Sequence, residues 1–208
     1  DTGTTGERLS EEALYLGRLL VSLLPGEAEP KGLLALMLYC EARRAARFAA
    51  DGSFVPLDRQ DSRLWSRDMI IEAEALLTEA SRAGVLGRYQ CEAAIQSVHV
   101  QRPITGRTNH AALVALYRLL IRTFPSLGAQ VGLAAALTES GSAAEALQLL
   151  DSLADAPVQT YQPYWATRAR AETVLGRRPE ARRSLERAIA LAGSDPVRAF
   201  LRGLIAED

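Results

Sequence analysis

The feature that most constrains this chain is a self-similarity in its second half. Leu137–Leu153 (LTESGSAAEALQLLDSL) returns as Val174–Leu191 (VLGRRPEARRSLERAIAL), with Gly141 matching Gly176, Ala146 matching Ala181, Leu150 matching Leu185 and Leu153 matching Ala188, an offset of 35 residues. A repeat of that length holds two helices and a turn. The apolar face of one such pair can be covered only by a neighbouring pair, so the pairs stack. Elsewhere no segment alternates with period two, and apolar residues recur at helical spacing. The expectation is an all-α fold of about ten helices joined by short turns.

Punctuation marks divide the chain. Ser10 with Glu11 and Glu12 reads as an N-cap followed by an acidic first turn, and Pro25-Gly26 stops that helix. Pro30 restarts a strongly apolar block, Gly32 to Phe48, that ends basic with Arg43, Arg44 and Arg47. Further helices are expected from near Ser62 to about Arg82 and from Tyr89 to Val100, the latter broken at Arg102-Pro103. Ser126 caps one helix, and Ser142-Ala-Ala-Glu145 fits a capping box. The Gly/Thr-rich start predicts a linker over residues 1–8. A helical part follows over 9–107, with stacked pairs over 108–208. In the second half the pattern resembles the tetratricopeptide repeat. Trp165 takes its first large aromatic position, Ala134 and Ala169 the small position where paired helices approach, and Gly141 and Gly176 the turn. One unit earlier, Tyr117 and Pro125 fill the aromatic and terminal-proline positions, so the architecture expected there is an α-solenoid.

One stretch stands out against the helices: Asp51–Trp65, DGSFVPLDRQDSRLW. Asp51-Gly52 is a turn signal, and Pro56 interrupts the apolar run of Phe54, Val55 and Leu57. Gln60, Asp61, Arg63 and Trp65 then crowd hydrogen-bonding groups ahead of the next helix. Trp65 is expected to open that helix and anchor the loop, with Asp61 as its polar anchor. Asp51, Gln60, Asp61, Arg63 and Trp65 are the candidate residues for loop anchoring or partner binding, with Gln60 and Arg63 pointing outward in the second case.

Composition narrows the chemistry. The formal net charge is −1, which argues against the whole chain being an electrostatic nucleic-acid binder. Lys31 is the single lysine. Cys40 and Cys91 are isolated, without CxxC spacing, as in a cytoplasmic protein with reduced thiols. No apolar run has membrane length. His99 and His110 belong to no ligand cluster, and neither a phosphate-binding glycine loop nor a nucleophile elbow is present. The sequence therefore gives no reason to expect an enzyme, a cofactor, a metal or a small-molecule substrate.

Five blocks in order carry a wider resemblance: GLLALMLYCEARRAAR (Gly32–Arg47), the DG…L..QD…W loop, YQCEAAIQSVHV (Tyr89–Val100), LVALYRLLIRTFPS, and LGRRPEARRSLERAIALAGSDPVRAFL. From about Leu9 to Ile205 the chain resembles the C-terminal, tetratricopeptide-like extension of bacterial extracytoplasmic-function sigma factors. Gln60, Asp61 and Trp65 match that family's QDR…W element, with Ser62 where the family places arginine and Arg63 one position later. Gly132-Leu133 stands where the family tends to have Asn-Arg. The resemblance implies a regulatory domain that touches the sigma regions of the same chain, RNA polymerase core or a signalling partner, with promoter DNA reached only through upstream regions that these residues lack. The alternative is a free-standing helical-repeat scaffold for a peptide, with Val131, Ala135, Ala166 and Arg170 on its inner helices.

Overall fold

A computed structural model describes residues 2–153 and 157–206. The fold is all-α. The described residues form eleven α-helices and short 3-10 turns, and their one β-type contact is an isolated antiparallel bridge between Phe48 and Phe54. The chain divides into two compact units, residues 1–47 with 59–109, and residues 48–58 with 110–208.

The first unit holds α1 (Thr2–Leu23), α2 (Ala28–Ala42), α3 (Arg67–Ser81), α4 (Arg88–Val100) and the single turn α5 (Arg102–Thr105). Helix α2 is its centre, packed by α1, α3 and α4. Its Leu34, Ala35, Leu38 and Tyr39 are shut off from solvent. Close approach to α4 requires Gly32, because a Cβ there would lie 2.7 Å from the Gln90 backbone nitrogen. The start of α4 is capped from α2: the Glu29 carboxylate accepts from the backbone N–H of Tyr89 (3.1 Å) and of Gln90 (3.2 Å). Lys31 is buried, and its ammonium donates to the Pro25 carbonyl (2.6 Å) and to Glu79 (2.7 Å).

Helix α1 corrects the linker expected over residues 1–8, since it runs from Thr2. Ser10 consequently lies inside the helix and caps nothing; its hydroxyl accepts from the Arg44 guanidinium instead. Leu14 and Gly17 face inward, a Cβ at Gly17 falling 3.0 Å from Leu34. Leu9, Leu16, Leu20 and Leu23 lie exposed.

The second unit holds α6 (His110–Thr123), α7 (Leu127–Glu139), α8 (Ala143–Ser152), α9 (Gln162–Val174), α10 (Arg178–Ala190) and α11 (Asp195–Ala206), each packed on the next in sequence, with α7 also touching α9. Two of its turns carry the same bonds 35 residues apart. After α7, Gly141 sits at φ +90° and Ser142 N–H donates to the Leu137 carbonyl (2.8 Å). After α9, Gly176 sits at φ +73° and Arg177 N–H donates to the Glu172 carbonyl (2.9 Å). This is the left-handed helix end that glycine makes without strain. It also displaces the expected capping box: Ser142 makes no side-chain cap, and Glu145 pairs with Arg118 of α6 at 2.8 Å. Ala134 and Ala169 are inaccessible, as their small-position assignment requires, and the Trp165 indole donates to the Val158 carbonyl (3.1 Å). Val131 lies in the core with Leu150 and Tyr164, so of the four inner-helix positions it lines no surface.

Candidate functional site

The Asp51–Trp65 stretch is not one loop. Its first part, through Asp58, belongs to the second unit, and Arg59–Trp65 belongs to the first. This corrects its placement wholly within residues 9–107, and it separates Asp51 from the other four candidates. Asp51 closes a tight turn: its Oδ1 accepts from Ser53 N–H (2.9 Å), Gly52 N–H donates to the Ala49 carbonyl (2.9 Å), and Gly52 takes φ +82°. The Ser53 N–H holds the Asp51 carboxyl below its usual range.

In the first unit, Asp61 caps the 3-10 turn Ser62–Leu64 by accepting from Arg63 N–H (2.9 Å). It also binds the Arg63 guanidinium, with Nη2–Oδ2 at 2.7 Å and Nε–Oδ1 at 3.0 Å. These bonds, the guanidinium's first and the backbone N–H second, hold the Asp61 carboxyl down to about 2. The α-helix expected from Ser62 begins instead at Arg67. Ser66 is its N-cap, in extended conformation, with its hydroxyl accepting from Met69 N–H, and Ser66 N–H is tied to the Ala42 carbonyl at 2.9 Å. Trp65 therefore precedes the helix rather than opening it, in extended conformation at φ −77°, ψ 136°.

Trp65 is buried, 4% exposed. What the sequence reading missed is its clamp, Arg102. The guanidinium of Arg102 lies 5.4 Å from the Trp65 ring centroid, and its Nη2 donates to the Gln60 carbonyl at 2.7 Å. One arginine thus fixes both ends of Gln60–Trp65. Gln60 is buried at 8% exposure, so the expectation that it points outward fails: its backbone is drawn in by Arg102. Arg63, 88% exposed, is the one candidate of this group that a partner could reach freely. The arrangement offers shape and charge for a protein contact. Among the described residues no group of three or more metal-ligating side chains comes together, and no helix is long and apolar enough to cross a membrane.

Residues 2–81, which include α1 to α3, match the model of a protein family described as "Family of unknown function (DUF6596)". The chain is 38% identical over 194 residues to a protein of Rhizobium meliloti (strain 1021) described as uncharacterized. The match takes in 93% of this chain and 46% of that relative, so the chain spans about half the length of the curated relative it matches. No solved structure matches it.

Proposed function

We propose that this chain is the regulatory C-terminal domain of a bacterial sigma factor, working in the cytoplasm at transcription initiation through protein–protein contact and without chemistry of its own. Support comes first from the five sequence blocks, which follow one another in the order of that extension over nearly the whole chain. The structural observation that carries the contact is on α1. Leu9, Leu16, Leu20 and Leu23 share one exposed face, the 4-and-3 spacing that a second amphipathic helix covers. In this reading the sigma regions of the same longer protein cover that seam, alone or with RNA polymerase core, and those regions alone hold promoter DNA. The formal net charge of −1 fits a domain that does not grip phosphates. The relative's extra length leaves room in it for such regions.

The test is run-off transcription with the longer protein that contains this chain, RNA polymerase core and a promoter template, comparing the native sequence with Leu16→Ser plus Leu20→Ser. The native protein should direct promoter-specific initiation. The double variant should change it about tenfold, equivalent to about 1.4 kcal/mol of lost contact, with an unshifted circular-dichroism melt. A longer protein that never directs polymerase to a promoter overturns the sigma reading; native activity in the double variant overturns the α1 contact.

A further inference from the structure

Helix α1 meets α2 at Gly17, where a Cβ would lie 3.0 Å from Leu34 and 3.6 Å from the Met37 sulfur. A helix turns about 100° per residue, so Leu16 and Arg18 stand on opposite flanks of that contact, with Leu20 on the Leu16 side. Arg18 marks the flank towards α3, since its Nε and Nη2 each donate to the Glu72 carboxylate at 2.8 Å. Leu16 and Leu20, 54% and 37% exposed, border the opposite flank. Helix α2 is open on that same side. Its Lys31 turns towards Glu79 of α3, and its Gly32 lies against the Gln90 backbone of α4. Between the α1 and α4 contacts, away from α3, runs the row Leu33, Leu36, Met37 and Cys40, at the spacing of one helix face. Leu33, Leu36 and Met37 are half-buried and Cys40 is exposed.

The row and the α1 leucines form an apolar groove, floored by α2 and walled by α1 and α4. Ridges of this kind accept another helix, packed at axis separations of about 8–10 Å. Charge narrows the choice of occupant. Glu7, Glu11 and Glu12 are exposed on α1, whereas a helix that beds into an anionic lipid surface carries lysine and arginine on its polar face. The match to the Rhizobium relative takes in 46% of that protein, so more than half of it lies outside the part that resembles this chain. A helix tethered in the same chain binds at high effective concentration, and a groove of modest size then holds it.

We propose that one amphipathic helix of the sigma regions of the same longer protein fills this groove, with its apolar stripe on Leu33, Leu36 and Met37 and one edge against Leu16 and Leu20. The proposal rests on the sigma-factor reading and adds the place and the kind of contact: a single intramolecular helix, seated before polymerase arrives. Cys40 lies in the groove floor and is covered when the helix is in place.

The probe is iodoacetamide, with the alkylation rate at Cys40 read by peptide mass spectrometry in the longer protein that contains this chain. A groove filled about nine-tenths of the time leaves about one-tenth of the molecules open, so Cys40 in the native protein should react about tenfold more slowly than in Leu16→Ser with Leu20→Ser. Cys91 is buried; it should stay unlabelled in both and so reports that each is folded. Should the serine variant label Cys91, Leu16→Ala with Leu20→Ala takes its place. Equal rates at Cys40 overturn the proposal. So does protection that appears only with RNA polymerase core, or that falls on dilution as a second copy's would. Neither polymerase nor promoter enters the alkylation, so the two readings fail separately. An open Cys40 in a protein that initiates at its promoter overturns the groove alone; a protected Cys40 without promoter-specific initiation overturns the sigma reading while a helix still fills the groove.

Discussion

Replacing Trp65 separates what its volume contributes from what its indole nitrogen costs. The side chain is 4% exposed and lies under the Arg102 guanidinium. Its N–H is buried and has no hydrogen-bond partner among the described residues. Trp65→Ala deletes the ring, leaves a cavity and removes the face on which Arg102 rests. A change of that kind costs about 3–5 kcal/mol, with about 0.5–2 kcal/mol more for the lost cation–π contact where it is desolvated. Trp65→Phe keeps most of the ring and the contact with Arg102. It also removes a buried, unpaired donor whose desolvation costs about 1–3 kcal/mol. The phenylalanine variant should therefore lie within about 1.5 kcal/mol of native, the range of near-volume-conserving core swaps. Urea unfolding followed by far-UV circular dichroism measures both, with m compared so that a lost two-state transition is recognised. A loss below about 1 kcal/mol for Trp65→Ala would mean the ring is not an anchor, against the cost expected for emptying a buried aromatic site. A phenylalanine variant as damaged as the alanine one would refute the unpaired-donor account.

Other outcomes follow from single contacts. Glu29→Ala removes the carboxylate that caps α4 from α2 and should destabilise the chain by about 1–2 kcal/mol in the same unfolding measurement. Gly132→Ala sets a Cβ 2.5 Å from the Tyr117 ring, so about 1–3 kcal/mol should be lost by overpacking, readable as a lower melting temperature. The Asp61 carboxyl, depressed to about 2, should titrate there by NMR, and Arg63→Ala should return it towards its ordinary value near 3.8. Because its folded value is depressed, whatever Asp61 contributes is present above the ordinary carboxylate range and disappears as pH falls through about 2.

The second half of the chain was legible because its signals are local. Gly141 and Gly176 are read as turns from the sequence, and the same left-handed backbone puts the same hydrogen bonds 35 residues apart. Ala134 and Ala169 are read as small for close approach, and both are inaccessible. Ser126, read as a cap, accepts from Ala129 N–H at 3.2 Å. Where a local signal competes with a distant partner, the local reading fails. Ser10 has the composition of an N-cap, but its hydroxyl is engaged by Arg44, 34 positions away. Glu145 has the spacing of a capping box, but Arg118 of the preceding helix takes it.

The same limit explains the divided stretch. Read by composition, Asp51–Trp65 is a single polar loop between two helical blocks, because nothing within it distinguishes the residues before Asp58 from those after. The groups that divide it lie far off in sequence: Phe200 for the first part, Arg102 for the second. Arg102 carried a local meaning of its own, as the residue before the helix-breaking Pro103, and that meaning hid its reach back over 42 positions to the Gln60 carbonyl. A backbone carbonyl has no signature in a sequence, so a clamp built on one shows only in the folded chain. The consequence is chemical as well. Gln60 is drawn inward and Trp65 is buried, so both serve the packing of the first unit. Of the candidates in the first unit, Arg63 is then the one most open to a partner, its side chain reaching solvent from the turn that Asp61 caps.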